Sequence, residues 1–236
     1  MNKLISDAYH FLKKGGFEYN ICGGFALEMF ANKNLRTHGD LDIAVFEEDK
    51  IEAISFLFEQ GWDIFARFME DGQLATQMLF YKVENPRDAQ WKGCKNFWAM
   101  KPTAYLEMYE LGRHPGTYSY RLNPDSDVKY VDAFDFVEIE IDDKIEGEYV
   151  VKNELKISRA MEKAIHCRDG IPYLAPEIIL YLKSDQRSIE HPSTKDKNVT
   201  DFKNIYPLLC DEQKSWLADA LEITYPTGYP WLDGWV

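Results

Sequence analysis

Asp40 and Asp42 stand two residues apart in D-L-D-I-A-V-F (40–46), just before an apolar run. Alternate side chains of an extended strand share a face about 7 Å apart along the chain, so two such carboxylates can converge on one cation. Mg²⁺ suits that arrangement, because it favours one or two carboxylates together with phosphate oxygens. Two acids at a solvated strand end would look the same, but the apolar run that follows sets this pair at the edge of a core strand. Glu138 and Glu140, in F-D-F-V-E-I-E-I-D-D (134–143), repeat the spacing and also share a face, an alternation that a half-buried strand shows in any case. Upstream, Gly23-Gly24 precedes the apolar stretch F-A-L-E-M-F. Backbone N–H groups at such a helix start form an anion site suited to phosphate, although glycine pairs also mark ordinary turns.

These residues need elements to hold them. Leu4, Ala8, Phe11 and Leu12 recur at helical spacing ahead of Gly15-Gly16, which predicts an amphipathic helix over 3–14. A short strand at 19–22, the Gly-Gly turn and an apolar helix of about two turns come next, then the strand 40–46. Residues 50–60 have helical period and end at Gly61. W-D-I-F-A-R-F, a turn at Asp71-Gly72 and Q-L-A-T-Q-M-L-F-Y-K-V read as strands and loops. Residues 84–133 show no clean period and read as a variable insertion. After the strand 134–143, Asp143 to Gly147 turns the chain back into E-Y-V-V, and beyond Gly170 three helical segments follow: E-I-I-L-Y-L-K, 198–209 and 212–222. The seam between an α/β front part and the helical tail falls near 166–172.

Fifteen residues, Phe25 to Gly39, separate Gly-Gly from D-L-D. That combination resembles the nucleotidyltransferase superfamily of the DNA polymerase beta type, whose signature is Gly-Gly or Gly-Ser followed by an h-D-h-D-h strand. The longer segment I-C-G-G-F-A-L-E-M-F-A-N-K-N-L-R-T-H-G-D-L-D-I-A-V-F is similar to the aminoglycoside and lincosamide nucleotidyltransferase branch, in which Arg-x-His precedes the acids; here these are Arg36 and His38. The tail segments G-I-P-Y-L-A-P-E-I-I-L-Y-L-K (170–183), K-N-V-T-D-F (197–202), W-L-A-D-A-L (216–221) and Y-P-W-L (229–232) resemble the same group. Relatives carry K-D-x-x-D-F, so Asn198 departs from the pattern. The resemblance covers about 15–70 and 134–236 and leaves the middle uncovered.

The resemblance implies an α+β (mixed α/β) fold: a small mixed sheet with flanking helices over residues 1–168, then a helical part over 169–236. The implied reaction moves a nucleoside monophosphate, AMP from ATP or its counterpart from another nucleoside triphosphate, to a hydroxyl, with two Mg²⁺ ions clamping the triphosphate. Asp40 and Asp42 would bridge the metals. A neighbouring strand would add the third acid, Glu138 as ligand or base, with Glu140 the alternative. Gly23, Gly24, Arg36 and Lys183 are the expected triphosphate contacts, with Lys197 a further candidate. Arg36 also suits a surface ion pair, and His38 suits a structural hydrogen bond. Trp62, Trp91, Trp98, Trp216, Trp231 and Trp235 read as core or lid residues. The expected acceptor is a small molecule such as an aminoglycoside or lincosamide antibiotic. A protein acceptor of the toxin–antitoxin kind and an inactive nucleotide-binding relative are the alternatives.

Composition narrows the field. The chain of 236 residues has 45% hydrophobic and 14% aromatic residues, as folded proteins do. With 27 basic and 40 acidic residues its formal net charge is −13, which repels nucleic-acid backbones and mildly favours a cationic acceptor. Cys22, Cys94, Cys167 and Cys210 are too scattered for a disulfide framework. The start lacks a signal-peptide core and no run is long enough to span a membrane, so the expected location is the cytoplasm.

Overall fold

A computed structural model describes residues 2–68, 79–112, 114–184 and 192–229. The turn expected at Asp71-Gly72, residues 73–78, Trp231 and Trp235 lie outside them. The chain divides into two compact units, one of Met1–Ile21 with Thr37–Asp142, the other of Cys22–Arg36 with Asp143–Val236.

In the first unit, helix α1 (Lys3–Leu12) buries Leu4, Ala8 and Leu12, as its apolar spacing predicts, together with Ile5, while Phe11 is half-buried. A 3₁₀ turn at Lys13–Gly15 ends it. The strands are β1 (Tyr19–Ile21), β2 (Asp42–Phe46), β3 (Asp63–Phe68), β4 (Leu79–Lys82), β5 (Asn96–Met100), β6 (Leu106–Glu110), β7 (Thr117–Leu122) and β8 (Phe136–Ile145). They lie in the order β1-β2-β8-β5-β3-β4-β7-β6. The β2–β8 pair is parallel and the other pairings in this row are antiparallel. Helix α3 (Lys50–Glu59) follows β2 and packs on β2 and β3. Gly61, at φ +80°, closes it: its N–H reaches the Phe58 carbonyl while the Trp62 N–H reaches that of Leu57, a Schellman ending that needs the left-handed conformation glycine tolerates.

Residues 84–133 contain β5, β6 and β7. All five residues of β5 are buried, so no polar alternation marks it in the sequence.

The second unit holds helix α2 (Gly23–Ala31), the end of β8, β9 (Glu148–Lys152), β10 (Ile157–Ala160), helix α4 (Met161–Ala164), β11 (Ile165–Arg168), β12 (Ile171–Leu174), and helices α5 (Pro176–Lys183), α6 (Pro192–Ile205) and α7 (Asp211–Thr224). Asp143 to Ile145 pair with Glu148 to Val150 through a tight turn at Glu146-Gly147, as the sequence predicts. The helical run starts at Pro176, later than the seam expected near 166–172, because Ile165–Arg168 and Ile171–Leu174 pair as a hairpin. The segment read as helical over 198–209 ends as α-helix at Ile205; a 3₁₀ turn, Tyr206–Leu208, contains Pro207, which has no N–H for the α-helical ladder. Helix α2 packs on α5 and α6, and α5 packs on α7.

An ion network ties this unit together. Arg159 of β10 donates to Glu177 of α5 at 2.8 and 3.2 Å and to Glu212 of α7 at 2.6 and 2.7 Å. Lys163 reaches Glu212 at 3.0 Å. Hydrogen bonds from Arg159 are the main cause that holds the Glu212 carboxyl down at about 2. A carboxyl depressed below its usual 4.5 contributes stability above that value and loses it as pH falls toward 2. Thermal melts should therefore fall over that acid window, and Glu212→Gln should flatten the fall. Since Glu212 is half exposed, the effect is modest. Equal acid sensitivity in both proteins would exclude Glu212 as its source.

Candidate metal and nucleotide site

Strand β2 begins at Asp42, so Asp40 and Leu41 precede the ladder and do not open it. Asp40 is nonetheless held. The His38 carbonyl accepts from the Val131 N–H at 3.3 Å, the Gly39 carbonyl from the Tyr105 hydroxyl, and the Leu41 carbonyl from the Glu138 N–H at 2.9 Å. Leu41 is fully buried between the two acids, which turns Asp40 and Asp42 to the same side.

Parallel pairing sets Asp42 opposite Glu138 and Ala44 opposite Glu140. Neighbouring strands lie about 4.8 Å apart, so the register puts Glu138 beside Asp42 and takes Glu140 one row further along. One carboxylate oxygen from each of Asp40, Asp42 and Glu138 lies within 4.8 Å of the others. Asp40 and Asp42 are half-buried, and Glu138 is buried. Three converging carboxylates repel one another unless a cation intervenes, and an all-oxygen set fits a hard divalent ion such as Mg²⁺.

Two residues beside this cluster have no place in the motif. Arg67 of β3 donates to Glu138 Oε1 at 3.0 Å, and Asn96 of β5 donates to the same oxygen at 2.7 Å. Asn96 also donates to Glu140 Oε1 at 2.7 Å. Burial, and then the charge of Glu138, push the Glu140 carboxyl up to about 8. An arginine within the apolar strand W-D-I-F-A-R-F was the one sequence signal for Arg67. Asn96 had none, because nothing in the sequence marked β5.

The remaining candidates belong to the second unit, apart from His38. Gly23 and Gly24 form the first turn of α2, where backbone N–H groups have no intrahelical acceptor. Gly23 has φ +59°, a conformation that a side chain would strain. Arg36 and Lys183 meet on one carboxylate: buried Asp201 accepts from Arg36 Nε and Nη2, each at 3.1 Å, and pairs with Lys183 at 3.0 Å. Burial alone would raise the Asp201 carboxyl, but the two cations outweigh it and hold it low. Asn198, the departure from K-D-x-x-D-F, donates to the Lys183 carbonyl at 3.0 Å. Lys197 is exposed, and His38 is buried. Trp62, Trp91 and Trp98 are core residues, and the Trp216 indole donates to the Ser158 carbonyl. All four cysteines are free thiols, and no helix among the described residues is long and apolar enough to cross a membrane.

No protein-family model matches the chain, and no curated protein matches it in sequence. Among solved structures, it is similar to the solution structure of the antibiotic-resistance factor ANT(2″)-Ia, with a TM-score of 0.50 and 15% identity over 95% of this chain and 92% of that one. The crystal structure of ANT(2″)-Ia in complex with adenylyl-2″-tobramycin gives 0.49 and 14%, over 92% and 94%. An antigenic nucleotidyltransferase-like protein from Paracoccidioides brasiliensis gives 0.40 and 14%, over 94% and 87%. At this identity the likeness concerns architecture, and the chain has a nucleotidyltransferase-like α+β fold.

Proposed function

We propose that the protein is a Mg²⁺-dependent nucleotidyltransferase that moves AMP from ATP to a hydroxyl of a small, cationic molecule of the aminoglycoside or lincosamide kind. The observation that carries this reading is the convergence of Asp40, Asp42 and Glu138 within 4.8 Å, on a fold shared with an antibiotic-resistance factor. In the reaction the acceptor oxygen bonds to the α-phosphorus, the bond from that phosphorus to the bridging oxygen breaks, pyrophosphate leaves and the hydroxyl proton passes to solvent. Asp40, Asp42 and Glu138 would hold the divalent cation, which when bound neutralises triphosphate charge and acidifies a nearby hydroxyl. Gly23 and Gly24 supply first-turn N–H donors suited to phosphate, and Arg36 and Lys183 supply cationic side chains steadied by Asp201. The acid-rich composition favours encounter with a polycation.

Pyrophosphate release from ATP and Mg²⁺, with and without tobramycin or a lincosamide, tests the proposal when joined to mass spectrometry of the acceptor. The expected result is acceptor-dependent release and an acceptor heavier by one AMP. Magnesium-dependent ATP binding with no release against any acceptor would overturn transfer and leave a nucleotide-binding protein.

A further inference from the structure

Glu138 does not stand alone in its strand row. Its Oε1 accepts from Arg67 at 3.0 Å and from the Asn96 side-chain amide at 2.7 Å, which leaves Oε2 as the oxygen without these bonds. The second hydrogen of the same amide goes to Glu140 Oε1, also at 2.7 Å. One buried NH₂ group therefore spans the acid that joins Asp40 and Asp42 and the acid that does not. Cross-strand pairing explains the reach: Asn96 lies opposite Glu140, and Trp98 lies opposite Glu138.

The orientation of the amide follows from Glu138, since turning it over would set its carbonyl against that carboxylate's Oε1 and give up the donor bond there. The consequence is visible on its other side, where Asn96 Oδ1 is buried with no hydrogen-bond partner among the described residues. A buried acceptor without a partner costs about 1–3 kcal/mol, a penalty a fold tolerates where the group does something else.

We infer that Asn96 is a positioning residue of the cation site: its amide fixes Glu138 so that Oε2 faces the cation with Asp40 and Asp42, and it holds Glu140 out of the ligand set. Arg67 is a less suitable candidate for this role, because its positive charge opposes a cation while its hydrogen bond orients the same carboxylate. Asn96 orients without charge. The inference rests on the reading of Asp40, Asp42 and Glu138 as cation ligands. Partners that orient metal ligands typically change metal affinity by about 10–100-fold when removed.

The test is Mn²⁺ binding to the full chain, read from the paramagnetic resonance of the free ion, with thermal melts on the same samples. Glu138→Gln should weaken Mn²⁺ binding strongly. Asn96→Leu should weaken it by about tenfold or more. Asn96→Ser, whose single shorter donor cannot span both acids, should also weaken it and serves if the leucine variant fails to fold. A residue that only held β5 to β8 would change the melts and leave Mn²⁺ affinity alone. Folded Asn96 variants with wild-type affinity, beside a weakened Glu138→Gln, would overturn this inference and leave the cation site standing. A loss with Glu140→Gln equal to that of Glu138→Gln would also overturn it, by making Glu140 a ligand. Unchanged affinity in Glu138→Gln would remove the cation site and the inference with it.

Discussion

Asp42→Asn should lower AMP transfer by about 10³-fold or more, some 4 kcal/mol of barrier, while the melting temperature stays nearly level. Both outcomes follow from the same geometry. Asp42 contributes one of three carboxylates within 4.8 Å, so its charge matters most when a divalent ion and a triphosphate must be held there. Without a bound ion, the carboxylates of Asp40 and Glu138 oppose the Asp42 charge, which offsets what its other contacts give the folded state. Asp40→Asn should behave alike. Calorimetric titration with a non-hydrolysable ATP analogue, with and without Mg²⁺, separates binding from chemistry. The wild type should show binding that depends on Mg²⁺, and the variants should lose that dependence. If both variants unfold at much lower temperature, the acids are a structural feature and the transferase reading loses its main support.

The sequence made this cluster legible because strand geometry is periodic. D-L-D and V-E-I-E-I each announce acids on one face, the resemblance is what joins the two strands at one site, and the structure's parallel pairing sets Asp42 against Glu138. What surrounds the cluster was less legible, since Asn96 belongs to a strand buried on both faces and Arg67 is one polar residue in an apolar run. Periodicity reports the faces of an element and says nothing of which element lies beside it. For the same reason Arg36, Lys183 and Asp201, separated by up to 165 positions, showed no sign in the sequence of sharing one ion pair cluster. The helical tail was legible from Pro176 onward because the proline at the start of α5 and the 3.6-residue period agree. The β11–β12 hairpin before it has no such signal, as two four-residue strands leave too few positions to show alternation.

Arg159→Met should be among the most destabilising single substitutions in the second unit, at about 3–5 kcal/mol. The guanidinium is 6% exposed and its partner Glu177 is fully buried. Glu177 spends one oxygen on Arg159 and the other on Gln213 at 2.8 Å, so deleting the arginine leaves a buried carboxylate with a single neutral donor. Three elements lose their common tie, since β10, α5 and α7 all meet at Arg159. Trp216, whose ring lies 5.5 Å from the guanidinium carbon, loses a cation–π contact as well. At roughly 2–4 °C per kcal/mol for a chain of this size, the melting temperature should drop by about 10 °C. Adding Glu177→Leu to Arg159→Met removes the stranded charge, so the double variant should melt above the single one even though it lacks more native groups. Calorimetric melts of the two single variants and the double variant check this. Additive losses would show that the pair is not coupled, that α5 and α7 are held by apolar packing, with Ile178, Leu217 and Leu221 all buried, and that the ion network contributes little.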